Sequence, residues 1–141
     1  QLQAELARRL ATVRAHHDVR QLRRAADAVR SIWHLANGYL AAEAPWTRGA
    51  SDPSRAALVT RTAVNLVDVS AAVAWSFIPD AARKVRVALG QETDRGTSVP
   101  AWPSPALDGV EAGRKIQAPS ILFGKLSADW VEARRRQFAG C

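Results

Sequence analysis

The sequence contains little cysteine, lysine or histidine, and these shortages exclude several kinds of site. Cys141 is the only cysteine and the last residue, so neither an internal disulfide nor a cysteine-rich metal site can form. This usage is typical of a reducing compartment, and we expect a cytoplasmic protein. Two of the three histidines, His16 and His17, are adjacent and would point about 100° apart on a helix, which prevents them from sharing a metal ion.

Motifs for catalysis and for membrane insertion are also missing. There are no paired carboxylates with acid–base spacing, no nucleophile elbow and no glycine-rich phosphate loop. No segment approaches the roughly 18 uninterrupted apolar residues of a membrane span, and Gln1 to Arg9 lack a signal-peptide core. We therefore expect no catalytic residue, metal or cofactor in this chain, and no membrane partner. A start at QLQAELARRL without methionine indicates a piece of a longer protein.

The 141 residues do carry an excess of positive charge, +7 with a pI near 11.0, almost entirely from arginine. Arginine forks bind phosphate in a bidentate manner, so an acidic partner such as RNA is favoured over a neutral one. Charged residues also normally cover solvated helix faces, and both interpretations remain open for the clusters. These clusters are Arg8/Arg9, Arg20/Arg23/Arg24 and Arg134–136.

Apolar residues at spacings of three and four predict a helix over residues 1 to about 17, followed by a second helix to about Ala44. Asp18 with Gln21 forms a capping-box pattern that would start the second helix. Pro45 cannot continue this helix, so Trp46 should lie at a corner. The apolar stripe of the second helix is the strongest periodic signal; it comprises Leu22, Ala25, Ala26, Val29, Ile32, Trp33, Ala36, Tyr39 and Leu40.

Further caps and breaks divide the rest of the chain. Ser51 or Asp52 with Pro53 predicts a third, mostly buried helix that continues to Ile78. A fourth helix is expected from Asp80 to Leu89, stopped by Gly90. Residues 91–122 are rich in proline and glycine and predict an extended segment, pinned to the bundle by Trp102, Ile121, Leu122 and Phe123. Ser127 would cap a final helix through Gln137.

The predicted fold is therefore all-α, a helical bundle of about four main helices with an extended C-terminal segment and a short final helix. Residues 1–90 would form the bundle, and residues 91–141 would pack back on it or on a neighbouring domain. Trp33 and Trp75 lie in apolar stripes, where core packing is expected. Trp46 could be a packing cap or could stand out of the fold and stack on an unpaired base.

The segment AVRSIWHLANGYLAAEAPW, residues 28–46, resembles a helix of methionyl-tRNA synthetases, and the likeness extends over roughly residues 20–140. The likeness continues through a helix that starts with an acidic residue followed by proline, Asp52-Pro53, and through the helix break at Phe77-Ile78-Pro79. It also includes the Leu122-Phe123 pair in the tail. The matching residues in the first segment are Ile32, Trp33, Ala36, Asn37, Tyr39, Ala44, Pro45 and Trp46.

The resemblance implies the C-terminal anticodon-binding domain of that family, which recognises the CAU anticodon loop of methionine tRNAs. It implies that Trp46 packs against the first anticodon base and that Pro45 fixes its approach. Asn37 and Tyr39 would support the corner by hydrogen bonding and packing. Gly38 departs from the family pattern, which commonly has arginine there, and a phosphate contact from this position would be lost.

The resemblance further implies two partners, a methionine tRNA and the catalytic domain of a class I aminoacyl-tRNA synthetase. ATP, and structural zinc in some members, would bind in that catalytic part, so this chain alone should be inactive. Two other anticodon-reading residues of the family lie on a helix upstream of this segment. DNA is not an expected partner. The alternatives are a free-standing module that binds RNA without base preference, and a domain that only braces a neighbouring domain.

Overall fold

The computed structural model describes residues 1–48, 51–91 and 99–139, and these residues form helices and irregular segments without β-strands. The all-α prediction is confirmed, and the four expected main helices correspond to α1, α2, α4 and α5. The helices are α1 Leu2–Asp18, α2 Leu22–Glu43, α3 Pro45–Arg48, α4 Pro53–Ala74, α5 Pro79–Ala88 and α6 Ala128–Phe138.

Helices α1 and α2 pack against each other through the apolar stripes seen in the sequence. Leu6, Leu10 and Val13 of α1 are buried in one cluster with Val29 and Ile32 of α2. Burial of a side chain of this size stabilises a fold by about 1.5–3 kcal/mol. Leu66, Val69 and Val73 of α4 complete this cluster, so three helices share one core.

The turn between α1 and α2 differs from the prediction. Asp18 is the last residue of α1 rather than the cap of α2, and α2 begins after Gln21, whose side chain makes no capping hydrogen bond. The Arg20 N–H donates to the His17 carbonyl, and the Gln21 N–H donates to the His16 carbonyl, both at 2.9 Å. These main-chain bonds close the end of α1, so the capping-box interpretation of Asp18 is wrong.

Helix α4 is central and contacts α2, α3 and α5. Its predicted start is confirmed, because Asp52 accepts a hydrogen bond from the Arg55 N–H at 2.9 Å and Pro53 is the first helical residue. It ends at Ala74, earlier than the predicted Ile78, and the N–H groups of Phe77 and Ile78 both donate to the Ala74 carbonyl at 2.9 Å.

By length and composition α4 could cross a membrane, with a mean hydropathy of 1.3 over 18 residues. The expectation that no segment has about 18 uninterrupted apolar residues still holds, because Arg61, Asn65 and Asp68 interrupt α4. Core helices of bundles pass the same test, and α4 holds two buried polar residues, Asn65 and Asp68, that bind other parts of the chain. Asp68 forms an ion pair with Arg86 of α5 at 2.6 Å.

The tail is irregular from 99 to 127, as expected, and residues 92–98 of the predicted extended segment lie outside the described residues. Its anchors match the predicted ones only in part. Val110 is buried and Leu107 packs on the core, although neither was predicted, whereas Ile121 and Phe123 are exposed. Trp102 is 40% exposed with its ring 5.0 Å from the Arg14 guanidinium of α1, and Leu122 is half-buried. Residues 106–117 follow the bundle because the Gln117 N–H donates to the Ala88 carbonyl at 2.8 Å.

The final helix forms as predicted. Ser127 Oγ accepts a hydrogen bond from the Trp130 N–H at 3.2 Å, and α6 continues to Phe138 with no buried residue.

Candidate nucleic-acid interface

A sharp corner follows α2, and the local sequence accounts for it. Ala44 adopts a left-handed conformation with φ 37° and ψ 61°, and its N–H donates to the Leu40 carbonyl at 3.0 Å. Pro45 then opens the short helix α3, a position that suits proline because the first helical residues need no amide hydrogen. Trp46 is thereby placed in the first turn of a helix that leaves the axis of α2.

Trp46 exposes 67% of its surface. An indole this exposed contributes little to a core, so the interpretation of Trp46 as a packing cap is not favoured. An exposed planar side chain on a fixed corner is suited to stacking on an unpaired base.

Several bonds brace the corner. Thr47 Oγ1 donates to the Ala44 carbonyl at 2.8 Å, and the Thr47 N–H donates to the same oxygen at 3.0 Å. Arg55 of α4 reaches across to Glu43, and its Nη2 lies 2.8 Å from both carboxylate oxygens. The hydrogen bond to Glu43 raises the pKa of Arg55 above its ordinary value. Sequence reasoning missed this pair, because a separation of 12 residues matches no local helical pattern.

The structure places Asn37 and Tyr39 on different sides of α2, as their separation of about 200° requires. Asn37 is exposed and lines a groove with Trp33. Tyr39 is half-buried against the core and lines a cleft with Arg9 of α1. Of the four site residues predicted by resemblance, Pro45 and Trp46 form the corner, Tyr39 lies close enough to Arg55 at the corner to interact with it electrostatically, and Asn37 lies on the other side of α2.

The groove beside Asn37 has a volume of about 350 Å³ and an almost entirely apolar lining from α2, α4, α5 and the tail. Trp33 is 36% exposed at its edge, with Nε1 donating to the Ser70 carbonyl at 3.4 Å, and is therefore not the buried core residue that its stripe predicted. Trp75 is half-buried. Leu122 and Phe123 line the groove from the tail.

The three arginine clusters lie on different parts of the chain, namely α1, the start of α2 and α6. Arg8 and Arg9 both bind the carboxylate of Glu5. The Arg8 side chain is 70% exposed, which favours the solvated-face interpretation for Arg8, whereas the Arg9 side chain is 25% exposed and also donates to the Ser31 carbonyl of α2. Arg23 lies near the start of α2, and the 22 residues of that helix separate it from the corner by about 30 Å. The guanidinium of Arg134 lies 5.3 Å from the Trp130 ring on α6.

Among the residues that the structure describes, no three His, Cys, Asp or Glu side chains lie together as metal ligands would. The ring of His17 instead lies 5.5 Å from that of Phe77, where α1 meets the end of α4.

The whole chain matches a known protein family. A family model described as the anticodon binding domain of methionyl tRNA ligase matches residues 1–141. The chain is 35% identical over 136 residues to a methionine–tRNA ligase of Streptomyces avermitilis. It is 39% identical over 138 residues to that of a Jannaschia species and 36% identical over 140 residues to that of Cereibacter sphaeroides.

These alignments cover 96%, 97% and 99% of the chain but only 24%, 23% and 24% of the respective relatives. The chain thus spans about a quarter of the length of the ligases that it matches. It belongs to the family of anticodon-binding domains of methionyl-tRNA ligases.

Proposed function

We propose that this domain binds the CAU anticodon loop of methionine tRNAs, so that a parent methionine–tRNA ligase can charge them. The observation that carries the proposal is the exposed Trp46 on its proline corner, in a chain of this family. The net charge of +7 favours a polyanionic partner. Trp46 would stack on the first anticodon base, and Pro45 would fix its direction. Asn37 and Tyr39 would support the helix that leads to the corner.

The rest of the parent enzyme would supply methionine activation, with ATP and, in some members, zinc bound outside this chain. This domain would contribute RNA recognition without a cofactor of its own, in the cytoplasm where tRNAs are charged.

The test is a titration of the chain against two anticodon stem-loops that differ only in the loop triplet, CAU or an unrelated triplet, at one stated salt concentration. We expect tighter binding of CAU, and about tenfold weaker binding by Trp46→Ala, because loss of one base stack costs about 1–3 kcal/mol. Trp130→Ala is the matched control, since this indole is also exposed but lies on α6.

Two outcomes would favour the alternatives. Equal, salt-sensitive binding of both loops would indicate an RNA-binding module without base preference. Absence of measurable binding to either loop would indicate a bracing role for the neighbouring domain.

A further inference from the structure

The ion pair between Glu43 and Arg55 joins the two ends of the corner that carries Trp46. Glu43 is the last residue of α2, and Arg55 lies in the first turn of α4. One guanidinium nitrogen of Arg55 contacts both carboxylate oxygens of Glu43 at 2.8 Å. The pair therefore fixes the separation of α2 and α4 at the points where the chain leaves one helix and enters the other.

This pair differs from the Asp27–Arg30 ion pair, which lies within α2. The Asp27–Arg30 pair has a separation of 3.9 Å between side chains that are both 66% exposed, within a single helix. The side chains of Glu43 and Arg55 are 23% and 44% exposed, and they come from two helices. The main chain of Arg55 is held in the first turn of α4, because its N–H donates to Asp52 at 2.9 Å.

The support is needed because α3 cannot hold Trp46 alone. It has only four residues, far fewer than an isolated helix needs for stability in water. The residue before it, Ala44, has a positive φ of 37°, which is disfavoured for a side chain with a Cβ. The direction of Trp46 therefore depends on contacts outside α3, which are its packing on α4 and the bond across the corner.

Arg55 is a basic side chain tied into the corner, and its contact with Glu43 weakens its attraction for a phosphate. Its charge is offset by a carboxylate in contact with it, and a phosphate would have to compete with that carboxylate.

We propose that Glu43 and Arg55 are positioning residues, which hold Trp46 in the orientation that stacks on the anticodon base. This inference rests on the proposed function, and it extends it to two residues that make no contact with RNA themselves.

The first test observes Trp46 without RNA. The protein is labelled with 5-fluorotryptophan, and the Trp46 signal among the five tryptophans is assigned by its loss in Trp46→Phe. In Glu43→Ala we expect the Trp46 fluorine signal to move toward its position in the unfolded chain, while the signals of Trp75 and Trp102 stay in place. Asp27→Ala is the control and should change none of them. An unmoved Trp46 signal in Glu43→Ala would overturn the proposal.

The second test is a double-mutant cycle with the CAU stem-loop. Glu43→Ala and Arg55→Ala should each weaken binding by about fivefold. In a Trp46→Ala background the same changes should have no further effect, because the orientation that they control no longer matters. If the Arg55→Ala loss persists in that background, Arg55 contacts RNA directly and the proposal is wrong. Should Glu43→Ala fail to fold, Glu43→Gln replaces it, because it keeps a hydrogen bond and removes the charge.

The two proposals can fail separately. If the wild-type domain shows no preference for CAU but the Trp46 signal responds to Glu43→Ala, the anticodon assignment fails and the positioning of Trp46 is supported.

Discussion

The side chain of Asn65 pairs with the main chain of Val110. Its Oδ1 accepts the Val110 N–H at 2.7 Å, and its Nδ2 donates to the Val110 carbonyl at 3.3 Å. The same Nδ2 donates to the Arg61 carbonyl at 3.0 Å, so both of its hydrogens are used. Asn65 is 1% exposed. A helical residue thus satisfies the buried main chain of a segment 45 residues away and fixes the tail to α4.

Replacement of Asn65 should therefore release the tail. In Asn65→Leu, both main-chain groups of Val110 lose their partner, and we expect a loss of roughly 2–4 kcal/mol in the free energy of unfolding. Urea unfolding measures this loss, and hydrogen exchange of the Val110 amide should accelerate. Asn37→Ala, on the exposed side of α2, should change stability by less than about 0.5 kcal/mol. Equal stability of Asn65→Leu and wild type would contradict this account.

A methyl group at Gly109 should disturb the same region. A Cβ at this position would lie 3.3 Å from Asp68 Oδ2, and Asp68 is held by Arg86 at 2.6 Å. We expect Gly109→Ala to lower stability by about 1–2 kcal/mol in thermal unfolding. Gly124→Ala is the control, because nothing lies within 4 Å of its added Cβ. Similar melting temperatures for the two variants would show that the tail shifts to accommodate the added Cβ at little cost in stability.

Gly38→Ala should stabilise the domain. Gly38 lies within α2, and an added Cβ meets nothing within 4 Å. Alanine in a helix interior is favoured over glycine by about 0.5–1 kcal/mol, so we expect an increase in Tm of about 2–4 °C. Gly113→Ala provides the contrast, since its φ of +81° strains any side chain although the space is open. A fall in Tm for Gly38→Ala would contradict this expectation.

Acid should remove the stabilisation that Glu5 provides. Hydrogen bonds from Arg8, and then from Arg9, lower the pKa of Glu5 in the folded chain. A group with a lowered folded pKa stabilises the fold above its unfolded value, about 4.3, and loses this effect as pH falls through the folded pKa. The Tm difference between wild type and Glu5→Gln should therefore be present at pH 7 and shrink below about pH 4. Glu132, whose bond to Arg136 lies on α6, gives the matched Glu132→Gln control. A Tm difference that is constant with pH would exclude this role.

The periodic parts of the fold could be predicted from sequence. The stripe of α2, the Asp52-Pro53 start of α4 and the Ser127 cap of α6 are local signals that depend on residues three or four positions apart. The failure at Asp18 was also local, because main-chain bonds closed α1 before the side chain could cap α2. Trp33 shows what an apolar stripe cannot predict. The stripe predicts which face of the helix is apolar, but not how much of that face a neighbouring helix covers.

Long-range bonds left no comparable signal in the sequence. The partners in Asn65–Val110 and in Glu43–Arg55 are too far apart in the chain for any helical or turn pattern. The corner at Pro45 and Trp46 could be predicted because proline cannot continue a helix. Its bracing by Arg55 could not be predicted, because it depends on how α3 packs on α4. The separation of Asn37 from Tyr39 did follow from helix geometry, although their common motif suggested one site.

The left-handed alanine at the corner bears on how this domain can change in evolution. A glycine at position 44 would relieve a backbone penalty of about 1–2 kcal/mol, so drift toward glycine would not be opposed by folding. Glycine would also let the chain leave α2 in many directions. Retention of a residue with a Cβ there would then be a mark of selection for a single exit direction, separable from selection for a stable domain.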